Sequence, residues 1–223
     1  MFLLADPLGL LRRPAATLAR IDQHRRLAHG LLGITVSVAI PALIAELDAL
    51  ARGGPAQGVP AVAGDLHLLS AAFFGWVYAQ RFILPLDDLV ASLGLWLLAV
   101  SLVHLVAKRL GGRGAWAGYL GLSGSIALTG LLAAPVQLVE AVLRALGNAP
   151  AADSLGPVSG SLGIALFAWQ NVLLVMAAAR HYRLPTDRAV AAVVGPAAAI
   201  VALGVTLVVA GTVLALLALG SNG

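Results

Sequence analysis

Two adjacent amide side chains, Gln170 and Asn171, lie near the middle of the uncharged, mostly apolar run 161–179. Amides in such surroundings either bond to a neighbouring helix or contact a solute on a pathway. We favour the bond between helices, because no ionisable residue lies in the middle of any apolar run of the chain. Proteins that couple transport to protons or ions generally carry such a residue.

Three histidines, His29, His104 and His181, each lie at one end of an apolar run. Imidazoles at a common level can ligate a transition metal, and two facing imidazoles can ligate haem. Basic residues adjoin each of them, for example Arg25 and Arg26 near His29. Because a positive neighbourhood opposes the binding of a cation, we expect no metal and no cofactor.

The segment Gly121-Leu122-Ser123-Gly124 matches the GxSG pattern of rhomboid-type intramembrane proteases, which pair that serine with a later histidine. The one later histidine in the sequence, His181, lies at the end of a run rather than within it. The sequence contains no HExxH motif, P-loop or dinucleotide-binding fingerprint. We therefore expect a protein that is not an enzyme.

The composition indicates a membrane protein. Hydrophobic residues make up 60% of the 223 residues and charged residues 11%, against about 25% charged in soluble domains. Five apolar runs each reach the roughly 20 residues that cross a bilayer. We predict an all-α integral membrane protein with five transmembrane helices at about 27–45, 89–107, 115–139, 161–179 and 196–219, the last lying within the run 189–219.

The positive charges predict the orientation of these spans. If segment 66–82 is not a span, five spans place eleven of the 14 cations on one side, which the positive-inside rule assigns to the cytoplasm. The N-terminus is then cytoplasmic and the C-terminus periplasmic. The composition, rich in Ala, Leu, Gly and Arg, indicates a bacterial protein, so we expect it in the inner membrane. The eleventh of these cations is Arg188; we expect the other ten to contact partners or lipid headgroups rather than nucleic acid, and they are Arg12, Arg13, Arg20, Arg25, Arg26, Lys108, Arg109, Arg113, Arg180 and Arg183.

Two segments outside the spans are predicted to lie at the membrane surface. Residues 1–26 read as an amphipathic cytoplasmic segment, with Asp6 as the N-cap of a helix and Leu18 and Ile21 on its apolar stripe. The aromatic segment 66–82 reads as an interfacial or re-entrant helix on the outer face. The sequence of segment 66–82 is also compatible with a full transmembrane span.

The third span carries a row of small residues after a basic, Gly-rich turn at 108–114. These residues, Gly118, Gly121, Ser125 and Thr129, recur at about every fourth position. Such a face lets a neighbouring helix approach closely. We predict that the two hydroxyls bond across this contact, and that the face either packs within the protein or receives a partner.

Three stretches resemble the Yip domain family of five-span membrane proteins. They are LLRRPAATLARI (10–21), the hairpin LAVSLVHLVAKRLGGRGAWAGYLGLSGSIALTGLLAAP (98–135) and FAWQNVLLVMAAARHYRLPTDRAVAAVVGP (167–196). The tyrosine that the family carries before the third-span proline is absent here. The resemblance implies membrane organisation through contacts between proteins, with small GTPases as partners in eukaryotes. We do not transfer that partner to a bacterial chain.

These observations favour a non-enzymatic scaffold, adaptor or accessory subunit of a membrane protein complex, possible examples being respiratory and photosynthetic assemblies. Its expected partners are the lipid bilayer and other membrane subunits or a second copy. The alternative is a small-solute or lipid transporter in which Gln170 and Asn171 contact the solute and Pro41, Pro135 and Pro196 kink the helices along the pathway.

Overall fold

The computed structural model describes residues 2–24, 27–51 and 84–196, together with positions 198, 199, 202 and 206. Every regular element within these ranges is helical, as predicted, and none of them is a strand. Residues 186–196 begin a last helix. The bounded elements are α1 (Phe2–Arg12), α2 (Pro14–His24), α3 (Leu27–Ala51), α4 (Leu84–Arg109), α5 (Trp116–Ala127), a 3₁₀ segment (Leu128–Ala133), α6 (Ala134–Ala145) and α7 (Ala149–Tyr182).

Four helical stretches within the described residues are long and apolar enough to cross a membrane. They are Leu27–Asp48, Leu89–Arg109, Trp116–Ala145 and Ala149–Tyr182, with mean hydropathies between 1.9 and 2.3. All four coincide with spans predicted from the sequence. The fifth predicted span lies almost entirely outside the described residues, and so does the whole of segment 66–82.

The connection between the third and fourth predicted spans is a tight turn between two helices. Helix α6 continues to Ala145, and α7 begins at Ala149. Gly147 adopts a left-handed conformation with φ of 77°, and the Asn148 side chain accepts a hydrogen bond from the Ala151 amide. An αL glycine ends one helix and an Asn cap starts the next, so this Gly/Ala/Pro-rich stretch is helical on both sides of the turn.

The predicted kink at Pro135 takes the form of a short 3₁₀ segment. Proline lacks an amide hydrogen and its ring clashes with the carbonyl four residues earlier, so an α-helix cannot continue through it undisturbed. The chain tightens over Leu128–Ala133 and resumes as α6, with Pro135 in the first turn of that helix.

The N-terminal segment is a pair of antiparallel helices rather than a single surface helix. The chain breaks at Arg13, which precedes Pro14, and proline disfavours the helical conformation in the residue before it. Asp6, predicted as an N-cap, instead lies inside α1, fully buried, where its carboxylate accepts a hydrogen bond of 2.9 Å from Arg20 of α2.

This N-terminal hairpin is docked against the membrane bundle. Leu18 and Ile21 of α2 are buried in the main apolar core together with Leu10 of α1. Helix α1 contacts α5 and the 3₁₀ segment, and α2 contacts α5 and α7. The apolar stripe predicted for residues 1–26 therefore packs on protein at Leu18 and Ile21.

Candidate functional site

Helices α3 and α5 cross at a contact made of four glycines. A Cβ on Gly30 would overlap the backbone of Gly121, and one on Gly124 would overlap the carbonyl of Gly30. A Cβ on Gly33 would lie 2.6 Å from the carbonyl oxygen of Gly124. Only glycine permits backbones this close. The contact therefore fixes α3 on the small-residue face of α5 that the sequence predicts.

The hydroxyls predicted to bond across this contact bond within their own segment instead. Ser125 and Thr129 are fully buried. Ser125 donates to the carbonyl of Gly121 at 3.0 Å, and Thr129 donates to that of Ile126 at 2.8 Å. Back-bonding of this kind satisfies a hydroxyl without a second helix. The prediction of bonds between helices was wrong for both residues, because the approaching surface of α3 is glycine backbone at Gly30 and Gly33.

Gly118, placed in the same row, meets a different element. A Cβ there would lie against the imidazole of His181, including its Nε2 atom at 2.9 Å. The Gly-rich turn before α5 has the same neighbour, since a Cβ on Gly114 would lie 2.5 Å from His181 Cδ2 and 2.7 Å from Tyr182 Cδ1. The glycines of this turn are needed where the chain passes over the two aromatic rings at the end of α7.

His181 joins three parts of the molecule. Its Nδ1 atom lies 2.8 Å from Oδ1 of Asp22 in α2, and its Nε2 atom lies 2.8 Å from the carbonyl oxygen of Ala115 before α5. Both neighbours are acceptors, so both hydrogen bonds form together only when the ring carries two protons. The arrangement ties α2 and the start of α5 to the end of α7.

Tyr182 is fully buried beside this histidine. Its hydroxyl lies 2.9 Å from Nδ1 of His104 in α4, and its ring packs against His181 and Tyr119 with centroid separations of 5.1 and 5.3 Å. The Tyr182 carbonyl accepts a hydrogen bond of 3.0 Å from the Arg113 amide. We call Asp22, His104, Ala115, His181 and Tyr182 the clasp; it closes the end of the bundle at which the α4–α5 turn lies.

The histidines considered as metal ligands are not gathered into one cluster of described residues. His104 and His181 both adjoin Tyr182, but each engages a different acceptor or hydroxyl. Within the described ranges, no group of three His, Asp or Glu side chains is close enough to hold an ion, and this includes His29.

Ser123 and His181 are not paired in the manner of a protease dyad. Ser123 is buried in α5 and donates to the Leu120 carbonyl at 3.0 Å. The two nitrogens of His181 face Asp22 and Ala115. The GxSG motif is thus part of a helix-packing surface, in which Gly121 and Gly124 contact α3.

Gln170 and Asn171 lie where they line a cavity, and they differ in their hydrogen bonds. Gln170 donates to the Ala127 carbonyl of α5 at 3.3 Å, which is a bond between helices of the predicted kind. Asn171 donates to Phe167 in its own helix at 2.8 Å. Ala127 immediately precedes the 3₁₀ segment, where the α-helical hydrogen-bond pattern changes and its carbonyl accepts a side chain.

The cavity beside these amides has a volume of about 330 Å³ and mostly apolar walls from α3, α4, α5, α7 and the last helix. Ser123 and Tyr119 add two hydroxyls to its lining. Trp96 also lines it, and the indole N–H of Trp96 has no hydrogen-bond partner among the described residues. A buried indole N–H usually finds a partner, so this N–H is a donor that the described chain leaves unused.

An ion-pair network lies at the end of the bundle opposite the clasp, and it was not predicted from the sequence. Arg144 of α6 donates to Asp48 of α3 and, at 2.7 Å, to Asp153 of α7, while Glu140 lies 3.6 Å away. The signal in the sequence was that Arg144 is one of few cations on the acidic side. It fastens three spans together at this end.

The predicted basic residues occupy several sites at the clasp end and beside it. Arg183 ends α7 in a left-handed conformation with φ of 56°, and Arg188 donates to the Leu110 carbonyl at 3.2 Å. Arg25 and Arg26 lie outside the described residues. The others are exposed and lie on α4, in the α4–α5 turn, on α7 and on the N-terminal hairpin; they are Arg12, Arg13, Arg20, Lys108, Arg109, Arg113 and Arg180.

A second row of glycines, on α7, has no covering helix among the described residues. A Cβ on Gly160 or Gly163 would meet no described heavy atom within 4 Å, and one on Gly156 would meet only the Glu140 carboxylate, at 4.0 Å. Phe167 continues the row and is 67% exposed. We call these four residues the α7 face. This face was not predicted from the sequence, although Gly156 and Gly160 have the GxxxG spacing typical of helix contacts in membranes.

The sequence model of the Yip1 domain matches residues 8–219, which is nearly the whole chain. The resemblance predicted from three stretches of the sequence is thereby confirmed. No curated protein and no solved structure matches the chain.

Proposed function

The chain belongs to the Yip1 domain family, and we propose that it is a non-enzymatic membrane protein that acts by lateral contact with other membrane proteins. In this role it is a scaffold, an adaptor or an accessory subunit of a membrane complex, and respiratory and photosynthetic assemblies are examples of such complexes. Four apolar helices long enough to span a bilayer support the membrane setting.

The observation that carries the proposal is the difference between the two glycine rows. The row on α5 is occupied by α3, because Gly30 and Gly33 lie directly on Gly121 and Gly124. The α7 face has the same small-residue character and nothing in the described chain covers it at Gly160 and Gly163. In lipid, helix association depends on close backbone packing rather than on apolar burial. The α7 face is therefore the surface that we assign to a partner helix.

The test is co-purification from native membranes in mild detergent. We expect the double variant Gly160→Leu/Gly163→Leu to lose the proteins that accompany the wild type, because two isobutyl groups would separate the helices. Gly94→Leu on α4 is the matched control, since a Cβ there also meets open space. Retention of the same partners by the double variant, or their equal loss in the control, would refute the proposed surface.

A second candidate function, passage of a small solute or lipid, is supported by one observation. Gln170, Asn171 and Trp96 all line the 330 Å³ cavity within the bundle. Flux of solutes into liposomes tests it. Transport that Asn171→Leu abolishes would support this candidate, and absence of flux in wild-type liposomes would remove it.

We also propose that the clasp end faces the cytoplasm, in a bacterial inner membrane. Basic residues support this orientation: Lys108, Arg109, Arg113, Arg180 and Arg183 all lie at the ends of α4 and α7 or in the adjoining turns. The opposite end carries the acidic residues around Arg144. Cations beside membrane spans mark the cytoplasmic side.

A further inference from the structure

An open cleft lies between the two helices of the N-terminal hairpin. The cleft has a volume of about 460 Å³. Its polar lining comes from Arg12, Arg13, Arg20 and Thr17, and its apolar lining includes Leu8. Close contact at Gly9, where a Cβ would lie 2.8 Å from the Thr17 hydroxyl, holds the two helices together at its base.

The cleft has an excess of positive charge. Arg20 lies 2.9 Å from the buried carboxylate of Asp6, which balances one guanidinium. Arg12 and Arg13 line the same space and are exposed, and no acidic side chain of the described residues pairs with either. Two unbalanced guanidiniums facing one cleft attract an anion, and the planar fork of arginine matches the oxygens of a phosphate.

The position of the hairpin determines which phosphate can reach the cleft. Helix α1 contacts the 3₁₀ segment Leu128–Ala133, which lies in the middle of the candidate span Trp116–Ala145. Helix α1 therefore lies along the side of the span, while Asp22 at the end of α2 reaches His181 of the clasp, so the hairpin borders lipid from the clasp end of the span inward. Leu8, which lines the cleft, is 44% exposed and offers an apolar surface to an acyl chain.

We propose that this cleft binds one anionic glycerophospholipid, with the phosphate on Arg12 and Arg13 and an acyl chain along Leu8. Arg20, paired with Asp6, borders the phosphate and keeps the two helices in register. The site is independent of the α7 face and of the lateral role proposed above. Basic side chains beside a membrane span commonly recognise anionic headgroups; here a preformed cleft restricts that recognition to one position.

Thermal unfolding of the delipidated full chain in uncharged detergent tests this site. We expect dioctanoyl phosphatidylglycerol to raise the melting temperature in a saturable way. Arg12→Gln/Arg13→Gln should shift the midpoint of that titration at least about tenfold toward higher lipid, since charge-assisted hydrogen bonds to the phosphate are lost. Ala16→Trp, which fills the cleft and keeps every charge, should have the same effect.

Three controls decide the source of any effect. Arg109→Gln/Arg113→Gln removes the same charge from the α4–α5 turn, and it should leave the midpoint unchanged. An equal shift in this control would show general charge attraction and overturn the site. An equal stabilisation by dioctanoyl phosphatidylcholine, or by inorganic phosphate alone, would overturn the assignment to an anionic lipid. So would an unchanged midpoint in the cleft variants.

Discussion

At the scale of residues, the clasp explains why the α4–α5 turn is rich in glycine. His181 and Tyr182 occupy the space that side chains at Gly114 and Gly118 would need. His181 then faces two acceptors, Asp22 and Ala115, and so connects α2 and α5 to α7. The sequence predicts correctly that His104 and His181 lie at a similar depth in the membrane. It does not predict their partners, because the aromatic and carboxylate neighbours come from distant segments.

A double-mutant cycle tests the link between α2 and α7. Asp22→Asn and His181→Gln should each destabilise the protein by about 1–3 kcal/mol, the usual range for hydrogen bonds to charged groups. Their effects should combine to less than the sum, because each variant removes the same interaction. Unfolding in a denaturing detergent series measures this. His24→Gln is the control, because the His24 ring bonds only to the Arg20 carbonyl among the described residues, and it should change stability by less than about 0.5 kcal/mol.

At the scale of elements, the crossing of α3 and α5 organises the bundle. The sequence identified the small-residue face of α5 but not the helix that covers it. The periodicity of one helix predicts which of its faces packs but does not identify the helix that packs there. Gly30 and Gly33 were therefore not predicted as the α3 side of this contact. The hydroxyls were misassigned for a related reason, since Ser125 can bond to its own helix whenever the opposing surface has no acceptor side chain.

Adding one methyl group at the crossing tests its tightness. Gly30→Ala places a Cβ against the backbone of Gly121, so one helix must shift. We expect a loss of about 1–3 kcal/mol, as in overpacked cores. Gly94→Ala on α4 adds the same methyl group in open space and should be neutral or stabilising by up to about 1 kcal/mol. Equal effects of the two changes on unfolding would show that the crossing is loose.

At the scale of the whole molecule, four predicted spans overlap helices that are long and apolar enough to cross a bilayer, because a bilayer requires length and apolarity before anything else. The boundaries were less predictable. Helix α7 has 34 residues, or roughly 51 Å at 1.5 Å per residue, and thus extends well beyond the hydrocarbon. Its first three turns precede the predicted span 161–179 and are rich in Gly, Ala and Pro, and contacts with α6 override the weak helical preference of that stretch.

The orientation can be measured directly, because the chain contains no cysteine. Single cysteines replacing Arg113 in the α4–α5 turn and Leu146 in the α6–α7 turn lie at opposite ends of one span, and both positions are exposed. With an impermeant maleimide on intact spheroplasts, we expect Leu146→Cys to react and Arg113→Cys to react only after lysis. The reverse pattern would invert the proposed topology.

We propose that α7 presents a face to a partner protein in the membrane. Photo-crosslinking in native membranes tests it most directly, with benzoylphenylalanine in place of Phe167 on the α7 face or of Leu95 on α4. Both side chains are 67% exposed, so their access to lipid is matched. We predict discrete protein adducts from position 167 and lipid adducts alone from position 95. Lipid adducts alone from position 167, or identical protein adducts from both positions, would contradict the claim.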